Sequence, residues 1–171
     1  MRPSVLQRID LSVRHAAPIA LTLIIVVLNV VPLRLPAYPI LAPDFALMAV
    51  FYWTVHRPDL MPAWAVFIVG LLDDILTGAP LGANALVLVV VHAVIIGQHR
   101  LFRGMGFAII WWAFSVTVPL AHLLDSLVGL AAIRAPIDPA VLAIRAVLTA
   151  AVYPVLAWLL GRAQRAFLPA V

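Results

Sequence analysis

The sequence predicts an all-α, polytopic integral membrane protein with about six transmembrane helices in one bundle. Of the 171 residues, 65% are hydrophobic and 11% are charged, and the mean hydropathy is +1.14. A soluble domain averages about 25% charged residues. The apolar residues form runs separated by short polar or proline-containing segments, which is the pattern of spans and their connections. No polar segment is long enough to form a soluble domain.

The composition excludes several functional classes. Cysteine is absent, which rules out disulfides, thiolate metal sites and a cysteine nucleophile. All eleven basic residues are Arg and all seven acidic residues are Asp. The pI near 10.7 would suit nucleic-acid binding, but the arginines are scattered at the ends of the apolar runs. This scatter indicates membrane topology rather than a basic patch, so no nucleic-acid partner is predicted.

The predicted organisation is a cytoplasmic N-terminal segment (1–14), a six-span transmembrane domain (15–161) and a cytoplasmic tail (162–171). The first apolar run, residues 16–33, is longer than the hydrophobic region of a signal peptide, and no small-residue cleavage site follows it. It is therefore predicted to be an uncleaved span. Residues 34–39, which include two prolines, are predicted to form an extended turn.

The second predicted span, residues 40–55, has Pro43 and Asp44 near its start and an aromatic pair near its end. Proline is tolerated in the first helical turn, and a carboxylate there suits the positive end of the helix dipole. Asp44 is open to two interpretations, a plain N-terminal cap or a functional carboxylate. Tyr52 and Trp53 are predicted to be an interfacial aromatic pair, at the level of the lipid headgroups.

The third predicted span, residues 61–77, carries the motif around which the chain is organised. Its four-residue repeat consists of Gly70, Asp74, Gly78 and Gly82. Residues four apart share one face of a helix, and glycine at this spacing lets a neighbouring helix approach closely in lipid. Gly78 marks the end of the helix, and the sequence after it predicts a tight turn. A carboxyl group inside a span is a functional-site hypothesis by default.

The last three spans are predicted over residues 81–97, 104–132 and 140–160. The fourth span opens with Asn84 and carries His92 near its middle. A single histidine without further ligands favours a hydrogen-bonded packing residue over a metal or proton site. The fifth span would be roughly 42 Å long if fully helical. It must therefore tilt, break near Pro119 or project beyond the bilayer.

The arginines orient these spans, because cytoplasmic loops of membrane proteins carry an excess of positive charge. With the N-terminus in the cytoplasm, the cytoplasmic arginines are Arg2, Arg8, Arg14, Arg57, Arg100, Arg103, Arg162 and Arg165. The outer side has Arg34 and Arg134, and Arg145 lies within the last span. Both termini are therefore predicted to face the cytoplasm.

This orientation predicts the result of reporter fusions. Reporters in residues 1–14, 98–103 and 162–171 should be cytoplasmic, whereas a reporter at Ala79 or Pro136 should be outside. Alkaline phosphatase and fluorescent-protein fusions measure the two sides separately. Finding Pro136 and Arg165 on the same side of the membrane would contradict the six-span arrangement.

The same orientation brings several polar residues to one depth. Counting about 1.5 Å per residue, the charged ones lie within roughly 10 Å of the outer edge of the spans. The predicted intramembrane polar cluster consists of Asp44, Asp73, Asp74, Asn84, Asp125 and Arg145. An unpaired charge at a helix centre costs roughly 2.5–3.5 kcal/mol on insertion scales. We therefore expect Arg145 to offset one or two of the aspartates; the alternative is that each side chain reaches separately to the headgroups.

Part of this pattern resembles a known family. The residues concerned are Pro43, Asp44, Tyr52, Trp53, Gly70, Asp74, Gly78, Leu81 and Gly82, with a polar turn at His56 and Arg57. In this order and spacing they resemble the rod shape-determining protein MreD family, closely over about residues 40–90. Elsewhere the resemblance rests on chain size, the arginine-bearing N-terminus and the number of spans. The acidic residue of the family motif matches Asp74, so Asp73 is an additional carboxyl group.

The resemblance implies a non-enzymatic inner-membrane component of the bacterial cell-elongation machinery, which helps to organise lateral peptidoglycan synthesis. The implied partners are MreC, the elongation glycosyltransferase and transpeptidase and, indirectly, MreB filaments. Membrane lipids and further copies of the chain are additional candidate partners. No catalytic residue, cofactor or metal is expected, since the sequence has no nucleophile–base pair, phosphate loop or metal-ligand spacing.

Two other functions are open on the sequence. A substrate-binding subunit of an energy-coupling-factor-type transporter would also have six helices and a polar cluster near the outer face. Such subunits dock through alanines repeated at four-residue spacing on the first span, and here Ala16 and Ala20 give a single step. A proton path through Asp74 and His92 is the third possibility, and these two residues are expected to lie too far apart for a direct relay.

Overall fold

Six α-helices form the described part of the chain, residues 18–29, 42–102, 104–133 and 138–167, in a computed structural model. The helices are α1 (Pro18–Asn29), α2 (Phe45–His56), α3 (Ala63–Thr77), α4 (Ala83–Phe102), α5 (Phe107–Ile133) and α6 (Pro139–Phe167), with a short 3-10 helix at Pro58–Leu60. No strand occurs among these residues. The all-α prediction is confirmed, with one helix for each predicted span. The predicted segment 1–14, the turn 34–39 and residues 134–137 of the last loop lie outside the described residues.

The helices differ in length. Three of those described are long and apolar enough to cross a membrane, and they are α4, α5 over Phe107–Ala131 and α6 over Pro139–Ala166. The helices α1 and α2 are apolar but shorter. At about 1.5 Å per residue, the 12 residues of α2 extend about 18 Å, against a hydrocarbon core of about 30 Å. The bundle therefore combines long outer helices with shorter ones.

The short helix α2 lies at the centre. It packs against α3, α4 and α6, and every residue from Ala46 to Val55 is buried. A helix that is apolar on all sides is expected in such a position. Its Phe51 ring makes edge contacts with Phe114 of α5 and Tyr153 of α6, at centroid distances of 4.9 and 5.8 Å. These contacts join three helices in one core.

The aromatic pair that was predicted for the membrane interface packs inside the bundle. Tyr52 and Trp53 are both buried in the core of the bundle. The Tyr52 hydroxyl donates a hydrogen bond to Gln164 Oε1 of α6 at 3.0 Å. Because α2 is enclosed on every side, its aromatic residues serve helix packing.

The two longest helices run without a break through internal prolines. Helix α5 contains Pro119 and extends for 27 residues, so of the predicted alternatives the break at Pro119 does not occur. Helix α6 contains Pro154 and continues to Phe167, so the predicted polar tail from residue 162 is helical up to that point. Transmembrane helices tolerate proline because neighbouring groups satisfy the freed carbonyl.

The outward faces of these helices are apolar. Trp112, Val147 and Val155 are each 68% exposed, which in water would be a large unfavourable surface. Lipid is the solvent in which such faces are stable. The exposed residues therefore mark the lipid-facing side of the bundle.

Candidate functional site

The tight connection between α3 and α4 determines the geometry of the glycine–aspartate motif. Helix α3 ends at Thr77, and Gly78 follows in the left-handed conformation (φ 71°), with its N–H bonded to the Asp74 carbonyl. Gly82, just before α4, also has a positive φ of 91°. No described atom beyond the local chain would lie within 4 Å of a Cβ at either glycine. These two glycines are therefore needed to turn the chain and do not provide a packing surface.

The carboxyl group of Asp74 lies inside this connection and is completely buried. It accepts hydrogen bonds from the backbone N–H groups of Gly82 (2.8 Å) and Asn84 (2.9 Å) and a longer one from Ala85 (3.4 Å). Helix α4 begins at Ala83, so these donors are the residue just before the helix and two residues of its first turn, where N–H groups have no partner within the helix. Asp74 therefore caps α4 from the preceding helix.

Gly70 provides the close approach that this cap requires. It lies one helical turn before Asp74, and a Cβ added to it would be 2.4 Å from Ala85 Cα and 2.8 Å from Ala85 N. The backbones of α3 and α4 are thus in direct contact at this point. Of the three glycines in the four-residue repeat, Gly70 is the one that allows two helices to touch. The helix that it contacts is α4, which follows α3 directly in the chain.

Asp73 has a different environment. Its carboxyl group accepts a hydrogen bond from the side-chain amide of Asn84, and the residue is buried. The charges of Asp44 and Arg145 act on it, together with that of the adjacent Asp74. Asp73 therefore lies within electrostatic range of Asp44 and of Arg145 on α6, whereas the Asp74 side chain bonds to the backbone at the start of α4.

Asp44 is the N-cap of α2. Its Oδ1 accepts a hydrogen bond from Leu47 N–H at 2.9 Å, and its own N–H donates to Thr149 Oγ1 at 3.1 Å. Of the two interpretations of Asp44, the cap is the one that the geometry displays. Pro43 directly precedes this cap. The contact with Thr149 also attaches the start of α2 to α6.

The predicted cluster residues lie at one end of the bundle. The charges of Asp44 and Arg145 both act on Asp73, Asp125 and His122, which places these groups within electrostatic range of one another. The ion pair present among the described residues joins Arg57 and Asp59 at the α2–α3 turn, at 3.4 Å. Arg145, on α6, makes no direct ion pair with any described residue. Its Nε also lacks a hydrogen-bond partner among these residues.

Two polar residues of this region, His122 and Thr149, were not included in the predicted intramembrane polar cluster. His122 is buried, and its Nε2 has no hydrogen-bond partner among the described residues. Thr149 is fully buried and follows Arg145 by four residues on α6. The spacing of 145 and 149 could have indicated Thr149, since residues four apart share a helix face.

The remaining motif residues lie elsewhere. His92 is buried on α4, and its Nδ1 is 2.9 Å from Thr54 Oγ1 on α2, which agrees with the packing interpretation. Leu81 is 72% exposed at the turn. No group of three or more potential metal ligands occurs among the described residues. The arrangement can hold helices together, and its carboxyl groups at Asp44 and Asp74 are used as helix caps.

Comparison with known proteins gives one match. A family model described as rod shape-determining protein MreD matches residues 12–162 of the chain. No curated protein matches the chain, and no solved structure matches it.

Proposed function

The chain belongs to the MreD family of rod shape-determining proteins, and we propose that it acts as a non-enzymatic scaffold of the cell-elongation complex in the bacterial inner membrane. Membership of the family implies a role in determining rod shape. The family match over residues 12–162 is the observation that carries the proposal. The finer role is to hold MreC and the wall-synthesis enzymes together within the bilayer.

The geometry of the α3–α4 hairpin supports a scaffold. The Asp74 carboxyl group is fully buried and is used to cap the α4 backbone. A group so enclosed is not available to a substrate, and its hydrogen bonds fix the position of one helix against another. The motif thus stabilises the arrangement of α3 and α4. A protein that acts by binding neighbouring proteins needs such a fixed shape.

The outward faces of α5 and α6 are suited to partner helices. They present large exposed side chains, such as Trp112 and Val155. In lipid, helices associate through packing and interhelical hydrogen bonds, so a single-span partner such as MreC can bind there. The same faces would serve contacts with the glycosyltransferase and transpeptidase or a second copy of this chain.

Depletion of the protein tests its role in the cell. We expect rods to become spheres and lateral wall synthesis to disperse, because the elongation enzymes would lose their membrane organiser. Cell width and fluorescent D-amino-acid incorporation measure these two effects. Cells that keep their shape but lose uptake of a vitamin would instead support the transporter-subunit function.

Crosslinking separates a direct role from an indirect one. The protein is purified in mild detergent after crosslinking in cells, and its partners are identified by mass spectrometry. Recovery of MreC and the wall-synthesis enzymes is expected. Recovery of an ATPase-coupled transmembrane subunit in their place would contradict the scaffold proposal.

A further inference from the structure

A groove lies at the end of the bundle opposite the polar cluster, where α2 ends, α5 begins and α6 ends. Its volume is about 530 Å³. The side chains that matter here are Tyr52, His56, Phe107, Trp158, Gln164 and Arg165. None of the described residues that line the groove is acidic. The groove therefore carries a positive charge from Arg165 and no negative charge of its own.

One end of the groove is polar. The Tyr52 hydroxyl bonds to Gln164 Oε1 at 3.0 Å, which uses the amide oxygen and leaves the amide nitrogen of Gln164 as a hydrogen-bond donor. Arg165 is exposed and close enough for its charge to act on Tyr52. Among the described residues Arg165 has no ion-pair partner. Gly161 keeps this end open, since a Cβ there would be 3.3 Å from Tyr52 Oη.

The other end is apolar and faces lipid. Phe107 is 50% exposed and Trp158 is 60% exposed, and Pro154 and Ala157 also line this part of the groove. The groove thus changes from cationic to apolar along its length. An amphiphile with an anionic headgroup matches both ends at once.

We propose that this groove binds one anionic phospholipid, with its phosphate at Arg165 and Gln164 and an acyl chain along Phe107 and Trp158. Charge complementarity is the main argument, because an arginine without a carboxylate partner attracts a phosphate, which guanidinium groups bind well. In the predicted topology this end of α6 lies in the cytoplasmic leaflet. The surface of that leaflet carries negative charge from its anionic lipids.

Lipid retention in detergent tests the proposal. The full chain is reconstituted in vesicles of equimolar phosphatidylglycerol and phosphatidylcholine and extracted in a neutral detergent, and the lipids that remain bound are quantified by mass spectrometry. We expect phosphatidylglycerol to be enriched over phosphatidylcholine relative to the vesicles. Arg165→Gln should reduce that enrichment roughly fivefold, the factor expected for one surface arginine. Arg165→Lys, which keeps the charge, should retain most of it.

Arg100→Gln is the matched control. Arg100 is also an exposed arginine that is predicted to face the cytoplasm, but it lies on α4 and does not line the groove. This variant should keep the enrichment. Equal losses for the two arginine variants, or bound lipids in the same ratio as in the vesicles, would overturn the proposal.

Discussion

Replacing Gly70 with leucine should prevent the protein from accumulating in the membrane. A Cβ at this position would lie 2.4 Å from Ala85 Cα. Because Ala85 Cα is a backbone atom, it cannot rotate away as a side chain could. Overpacking of a core costs typically 1–3 kcal/mol. We expect Gly70→Leu to exceed about 3 kcal/mol, because α3 and α4 must separate and the Asp74 cap must break. Immunoblots at equal transcript level, and thermal unfolding in detergent, measure the effect.

Gly97→Leu is the control for Gly70→Leu. Gly97 is also a helical glycine, on the exposed side of α4, and no described atom would lie within 4 Å of a Cβ there. Its replacement should leave the protein level near that of the wild type, since leucine is also a better helix former than glycine. Gly70→Ala should shift stability in the same direction as Gly70→Leu but by less. Normal accumulation of Gly70→Leu would refute the close contact between α3 and α4.

Asp74→Ala should destabilise the protein by on the order of 3 kcal/mol and impair its assembly with partners. The substitution leaves two partly buried N–H groups, those of Gly82 and Asn84, without their acceptor. An unsatisfied buried donor costs about 1–3 kcal/mol, and partly buried donors lie toward the lower end of that range. Insertion itself should suffer less than with Gly70→Leu, because alanine introduces no clash. Protein level and cell shape at equal transcript level, with recovery of crosslinked partners, measure the result.

Asp73→Ala is the comparison that makes this prediction specific. Asp73 has the same charge at the next position, but its carboxyl group bonds to the side-chain amide of Asn84 rather than to the backbone. A side-chain amide can reorient, whereas the N–H groups at a helix start cannot, so Asp73→Ala should be better tolerated. Wild-type shape and level in both variants would show that Asp74 is not the residue that fixes the hairpin.

The sequence was sufficient to predict the helices because each is a continuous apolar run. It also indicated that Gly78 ends α3, since glycine after a helix readily adopts a left-handed conformation. The partner of Asp74 could not be predicted in this way. Four-residue spacing shows that Gly70 and Asp74 share a face, but it does not tell which helix lies opposite. The answer depends on the short turn through Gly82, which returns the chain directly onto that face.

The central position of α2 could not be predicted either, for a physical reason. Aromatic residues near the end of a predicted span are typical of the membrane interface, and Tyr52 and Trp53 fit that position. The residues of α2 are apolar all round, but in a membrane protein that pattern fits a lipid-facing span as well as a buried helix. The sequence of α2 therefore does not distinguish a central helix from a peripheral one, and the contacts with the other helices decide.

The two hydrogen bonds that attach α2 to α6 have a consequence for the order in which the protein is made. Asp44 and Thr149 are 105 residues apart, and Tyr52 and Gln164 are 112 apart, whereas the Asp74 bonds to Gly82 and Asn84 span eight and ten. On the ribosome, the α3–α4 hairpin can therefore close almost as soon as it enters the translocon. The surface of α2 that packs against α6 stays exposed until α6, the last helix, is synthesised. A nascent chain that stops before α6 would present that surface to the proteases of the membrane, so only full-length chains would persist.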